Sequence, residues 1–455
     1  MKQEFTKKNE IKMTADITSY DGCTIQKSSQ TAVLKEDPSR ENQVINLYPF
    51  LTGQKIEGFG ATLTEAAAFT FAKMSEQNKK QFLDACFGQD GLGYNQTRMA
   101  IDSCDASLGN YSAMEDETDT AMESFSLKRD EEYILPFYNA ITQERQEPLT
   151  VMLSPWSPPA FMKTNGEKNH GGMLKKEYYE MWAEYMCRFV EAYLETGVAV
   201  KRISIQNEPN AVQTWDSCCY DGAQEKEFLK DFLYPALKRH GLTGLEVFIW
   251  DHNKERMVER AREVIDEETA SMVDGIGFHW YSGDHFEALD VLRRLYPDKK
   301  LAFTEGCVEY SHFTTGDQLA HARMYGHDMA GNLNGGASFL VNWSILFNSQ
   351  GGPNHVQNWC EAPMMYDEKT DTLETKLSWE YIRHFSHYIL PGSVWIANSK
   401  YTDELDVTAA LRPDGQIAVV VMNRTAKEKE VYLRTEGKTA ALKLPGDAIA
   451  TVLLS

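Results

Sequence analysis

A chain of 455 residues with a formal net charge of −21 can bury a large core, and it has room for a barrel-sized domain with a smaller companion. The acidic excess argues against nucleic acid and anionic membrane surfaces as partners, and no apolar run reaches transmembrane length, so no stable membrane insertion is expected. Met1 to Lys8 lacks the apolar core of a signal peptide, which points to the cytoplasm, and the eight cysteines form neither a CxxC pair nor a zinc-spaced cluster, so reduced thiols are expected.

From about Ile17 to Tyr48 the chain reads as short strands broken by turns such as Asp21-Gly22, with no helical period. From about Lys55 the pattern becomes strand, polar loop, helix, repeated. Eight candidate strands follow: Ile56 to Phe59, Gln96 to Ile101, Leu149 to Leu153, Arg202 to Gln206, Leu245 to Trp250, Gly275 to His279, Lys300 to Thr304, and Ala337 to Asn342. Helical stretches lie between them, such as Ala66 to Lys73, Lys176 to Thr196 and Ala223 to His240. The second of these has Tyr178, Met181, Trp182, Tyr185, Phe189, Val190 and Tyr193 near helical spacing. This alternation predicts an α/β fold with a parallel sheet, and eight repeats predict a closed (β/α)₈ TIM barrel. An open doubly wound sheet is the rival, but no GxGxxG follows the first strand and no P-loop occurs.

After about Pro391-Gly392 the helices stop. Leu405 to Leu411, the hairpin signal Asp414-Gly415, Gln416 to Met422, Val431 to Leu433 and Ala448 to Leu454 read as a β module. Strands from the amino-terminal segment are expected to complete it. The expected division is an all-β sandwich from residues 1–48 and 392–455 beside a catalytic barrel of residues 49–391.

In a (β/α)₈ barrel the site is built at the carboxyl ends of the strands. Here those ends carry Asp102, Asp105, Trp156, Asn207, Glu208, His279, Trp280, Tyr281, Glu305 and Trp343. Carboxylates, amides and aromatic rings together describe a sugar site. Rings stack on pyranose C–H bonds, while amides and acids hydrogen-bond hydroxyls. Glu208 and Glu305 have matching settings, each where a buried strand gives way to a loop, so they are read as a catalytic pair. Glycoside hydrolysis needs two such carboxyl groups about the scissile bond. A gap of about 5–5.5 Å predicts retention, and about 6.5–9.5 Å predicts inversion.

Longer stretches make a resemblance specific. They are Gly58 to Ala68, Ser103-Cys104-Asp105, Ser154 to Gly166, Gln206 to Pro209, His279-Trp280-Tyr281, Glu305-Gly306-Cys307, Asn342-Trp343 and Gly351 to Asn354. In these the chain resembles glycoside hydrolase family 30, the retaining barrel enzymes that include lysosomal glucosylceramidase. The resemblance implies that Glu208 is the general acid/base and Glu305 the nucleophile, and that Asn207 contacts the sugar 2-hydroxyl. It implies that Asp105, Trp156, Trp343 and Asn358 hold the non-reducing sugar, and that Arg98 and Tyr281 stand beside the nucleophile. Glu65, Ala61 and Ala106 depart from the family pattern, and the loop Gln213 to Tyr220 is not tied to a known specificity.

The reading is therefore a retaining β-glycoside hydrolase without metal or cofactor, acting as a β-glucosidase on small β-linked glycosides. A β-xylosidase or β-1,6-glucanase on the same scaffold is the alternative. A carbohydrate-binding protein without catalysis is the reading from another class. The oligomeric state is not legible.

Overall fold

The computed structural model describes residues 10–455. Met1 to Lys8, read above for a signal peptide, lies outside them. Eight parallel strands close into a barrel: β1 (Gly58–Ala61), β2 (Gln96–Ile101), β3 (Thr150–Pro155), β4 (Val200–Ser204), β5 (Glu246–Asn253), β6 (Gly275–His279), β7 (Lys300–Glu305) and β8 (Ala337–Asn342). Phe339 to Asn342 of β8 pairs with Gly58 to Ala61 of β1, which closes the ring and excludes the open-sheet rival. β1 meets β2 closely at Gly60, where a Cβ would stand 1.7 Å from the Gln96 carbonyl oxygen.

Of the strand ends that differ from the sequence reading, two bear most on the site. β4 stops at Ser204, so Gln206 already belongs to the loop that delivers Asn207 and Glu208. β5 runs past Trp250 to Asn253 through a register shift against β6. Trp250 and Asp251 there adopt positive φ, and such an irregularity re-aims the side chains that follow it.

The interior is packed in layers. At the amino ends of the strands, Arg202 donates to Gln96 at 2.8 Å and Glu246 at 2.9 Å, and pairs with Glu57. Above it sit Met152, Phe248, Ala302, Phe339 and Val341. Helices cover the outside. Tyr179–Glu195 buries Trp182, Tyr185, Phe189 and Tyr193 on its inner face. The helix expected over Ala223 to His240 is three segments: Gly222–Glu227, a π-helical turn Phe228–Leu233, and Tyr234–Arg239. Asp221 and Gln224 form a capping box at its start.

Both chain ends enter one ten-stranded sheet. Its order is Ile25–Val33, Lys12–Tyr20, Ala448–Leu454, Ile417–Asn423, Leu405–Leu411, Val394–Ser399, Val44–Lys55, Lys429–Thr435, Lys438–Leu444 and Lys35–Glu36. Met13 stands opposite Leu454. Val44–Lys55 runs past residue 48 because it pairs with Val394–Ser399 as far as Lys55. Ile17, Val407, Val419 and Val452 fill the sandwich core, whereas Ala418, Val420, Met422 and Ile449 join the barrel's apolar cluster. All eight cysteines are free, and only Cys23 is exposed. Among the described residues no helix is long and apolar enough to cross a membrane.

Candidate active site

Three strands set the central groups. The loop after β4 turns sharply at Glu208, whose φ is 47°. That conformation is uncommon outside glycine and is held here by its surroundings. Asn207 N–H donates to Pro155 O at 2.8 Å, and Glu208 N–H donates to Asp251 O at 3.0 Å. Glu305 is the last residue of β7, and His279 the last of β6. One side-chain atom from each of Glu208, His279 and Glu305 lies within 4.8 Å of the other two.

A buried arginine organises the floor. Arg98, on β2, donates through Nη1 to Glu305 Oε2 at 2.6 Å, and through Nη2 to Asn207 Oδ1 and Asp251 Oδ2 at 2.7 Å each. Accepting from Arg98 turns the Asn207 amide so that its NH₂ is left for the pocket. The Tyr281 hydroxyl donates to Glu305 Oε1 at 3.0 Å. His279 Nδ1 lies 3.2 Å from Glu208 Oε1, and its Nε2 lies 3.2 Å from Asp251 Oδ1.

Above this floor is a cavity of about 220 Å³. Asp105, Trp156, Asn207, Glu208, Tyr281, Glu305, Trp343 and Asn358 all line it. Trp156 and Trp343 face each other with ring centroids 5.4 Å apart and planes tilted by 39°. Asn354 and Asn358 donate to Asp105 Oδ2 at 3.2 and 3.3 Å. His279 and Arg98 are wholly buried and sit beneath the lining. The histidine that lines the cavity is instead His252, whose Nε2 lies 3.9 Å from Glu208 Oε1.

Asp251 and His252 escaped the sequence reading because that reading ended β5 at Trp250. Two ionisable residues directly after a buried strand were the available signal. Trp215 and His312, from loops, and Glu309, from the short strand Val308–Glu309, also line the cavity and carry no barrel strand-end signature.

The charge balance follows from these contacts. Burial opposes charge on His279, but the Glu305, Asp251 and Glu208 carboxylates overcome it and raise the ring to about 9. It is an imidazolium at neutral pH. Burial pushes His252 below the ordinary histidine range, so it is neutral there. Burial also works against charge on both glutamates. The pull of His252, His279 and Arg98 outweighs burial at Glu208 and takes it down to about 2, whereas burial prevails at Glu305. At neutral pH the His252 charge is gone. Glu208 then has mainly His279 to set against burial, while Glu305 keeps its direct ion pair with Arg98 and the Tyr281 phenol. The direct contacts from Arg98 and Tyr281 favour charge on Glu305. Asp105 is raised to about 8, by burial first and by Glu305 next, so it is mainly the neutral acid at pH 7.

The Glu208–His279–Glu305 cluster is compact enough for a metal ion. Its donors are already engaged within the protein: His279 faces Glu208 and Asp251 with its two ring nitrogens, and Arg98 pairs with Glu305.

Comparison with known proteins places the fold and the class of enzyme. The chain is 29% identical to lysosomal acid glucosylceramidase of Mus musculus over 404 residues, covering 85% of this chain and 78% of that one. It is 23% identical to an endo-1,6-beta-D-glucanase of Neurospora crassa over 404 residues, covering 85% and 82%. The crystal structure of SrfJ from Salmonella typhimurium superposes with a TM-score of 0.92 at 38% identity, covering 97% of this chain and 99% of that one. The glycosyl hydrolase family 30 TIM-barrel domain matches residues 56–389 and the family's beta sandwich domain matches residues 392–452. Fold, pocket and both matches agree: the chain belongs to glycosyl hydrolase family 30 and is a glycoside hydrolase.

Proposed function

We propose that this enzyme is an exo-acting retaining β-glycosidase whose preferred substrates are small β-glucosides. The observation that carries the reading is the approach of a Glu208 carboxylate oxygen to within 4.8 Å of one from Glu305. Such an approach is in keeping with the roughly 5–5.5 Å carboxyl separation of retaining sites and is closer than the roughly 6.5–9.5 Å of inverting ones.

In this mechanism Glu305, held ionised by Arg98, attacks the anomeric carbon as the glycosidic bond breaks. Glu208 gives its proton to the departing oxygen. Water then adds to the same carbon, Glu208 takes its proton, and the Glu305–sugar ester breaks. The NH₂ of Asn207 meets the sugar 2-hydroxyl. Trp156 and Trp343 form the walls, and Asp105 with Asn358 takes the hydroxyls at the closed end.

The cavity's about 220 Å³ falls below the roughly 300–1,000 Å³ of drug-sized sites, which supports one ring and therefore exo action. A second cavity of about 450 Å³ shares Tyr281, Glu309 and His312 with the first, and adds Trp280, Phe313 and Met324. Its partly aromatic walls suit a small leaving group. Glucose is favoured because the names of both the mouse and the Neurospora relatives specify a glucosyl or glucan unit.

A panel of nitrophenyl β-glycosides followed by proton NMR tests this. The first-formed sugar should be the β-anomer, released fastest from the glucoside. An α-anomer would sink the retaining mechanism, and faster release from the xyloside would move the substrate assignment.

A further inference from the structure

Asp251 accepts from more of the active-site floor than any one contact suggests. Its Oδ1 takes the Thr304 hydroxyl at 2.6 Å and lies 3.2 Å from His279 Nε2. Its Oδ2 takes Arg98 Nη2 at 2.7 Å. Its backbone oxygen takes the Glu208 N–H at 3.0 Å. The side chain is wholly buried and does not line the cavity. Burial works against its charge, but the Arg98 guanidinium paired with it outweighs burial and holds the carboxyl well below the usual range, so Asp251 is ionised. His279 meets a carboxylate at each ring nitrogen, so Asp251 at Nε2 leaves Nδ1–H to face Glu208.

We propose that Asp251 is the positioning residue of this site: one buried carboxylate holds His279 as an imidazolium against Glu208 and holds Arg98 against Glu305 and Asn207. This rests on reading Glu208 and Glu305 as the reacting pair. The consequence is that both halves of the reaction are set from behind by a residue that never meets the sugar. The charged and titratable groups facing His279 are Glu208 at 3.2 Å, Asp251 at 3.2 Å and Glu305 at 4.0 Å, with the His252 and Tyr281 rings at 6.3 and 6.1 Å. Burial disfavours the charged ring, and these carboxylates restore it. An asparagine at 251 keeps the shape, removes the charge, and turns an NH₂ toward a donor.

The test uses the full-length enzyme labelled with ¹⁵N-histidine. The His279 signals are identified by their loss in His279→Gln. In the wild type His279 should be doubly protonated at pH 7, and in Asp251→Asn singly protonated at the same pH. On alkyl glucosides, which need protonation of the leaving group, kcat/KM of Asp251→Asn should fall about 100-fold. On dinitrophenyl glucoside, which does not, the fall should be smaller, leaving the part due to Arg98. Thr304→Val, which removes a neutral donor and keeps the charge, should leave His279 doubly protonated. A His279 that stays doubly protonated in Asp251→Asn, or equal losses on the two leaving groups, would overturn the proposal. If Asp251→Asn does not fold, a neutral His279 in the wild type at pH 7 overturns it without the variant. The anomer released by the wild type, measured separately, reports on the retaining reading alone.

Discussion

Glu208 and Glu305 have the same side chain and opposite tasks, and the difference lies in what grips them. Arg98 and Tyr281 both donate to Glu305, whereas Glu208 has His279 alone at hydrogen-bond distance. Their alanine variants should therefore fail differently. Glu305→Ala removes the group that forms the covalent intermediate, and no change of leaving group should restore turnover. Glu208→Ala should lose about 10²–10⁴-fold on alkyl glucosides and far less on dinitrophenyl glucoside. Azide added to Glu208→Ala should release β-glucosyl azide, visible by NMR; an α-azide would exchange the two roles. Both glutamates were legible because each sits where an apolar strand gives way to a loop. Asp251 and His252 were not, because the positive φ at Trp250 and Asp251 is a backbone property that no periodicity reports.

At the level of elements, a period of two or of 3.6 shows where strands and helices lie but not how they end. Most of the eight strands were visible because their interiors are apolar runs, although β2 carries Thr97 and Arg98 and β4 carries Lys201 and Arg202. The π turn Phe228–Leu233 was not, since it keeps the same apolar residues and changes only the hydrogen-bond partners. Caps are local chemistry and can be tested locally. The Asp221 carboxylate accepts the Gln224 N–H at 2.8 Å, and the Gln224 side chain accepts the Asp221 N–H at 3.0 Å. Asp221→Ala should cost about 1 kcal/mol of unfolding free energy in a urea titration. kcat/KM should be unchanged, because among the described residues the Asp221 and Gln224 side chains hydrogen-bond only within the cap. A loss of activity without a loss of stability would show that the helix start serves the site.

For the whole molecule, the seam between barrel and sandwich is sealed by a neutral histidine. Thr451 Oγ1 donates to the His384 carbonyl at 2.7 Å, so it can only accept from Nδ1–H at 2.9 Å. Nε2 then accepts from the Thr18 hydroxyl at 2.9 Å. Burial lowers this ring from 6.5 to about 3. Between those values the unfolded chain binds a proton that the folded chain refuses. The contribution is whole above pH about 6.5 and is lost as pH falls toward 3, at up to about 1.4 kcal/mol per pH unit. His384→Gln, which can still bond both threonines, should flatten the fall in Tm from pH 6.5 to 4. An unchanged slope would show that other groups set the acid limit. The sequence could not show this seam, because Thr18, His384 and Thr451 belong to three distant segments.

Pairing Lys12–Tyr20 with Ala448–Leu454 also imposes an order on events at the ribosome. The earliest strands emerge long before their partner exists. At roughly 5–20 residues per second the wait is on the order of 20 to 90 s. Through that interval Lys12–Tyr20 and Ile25–Val33 can pair only with each other, as they do in the native sheet. The outer strand carries Lys27-Ser28-Ser29-Gln30, a polar run that discourages the exposed hairpin from recruiting a neighbouring nascent chain while the barrel is completed.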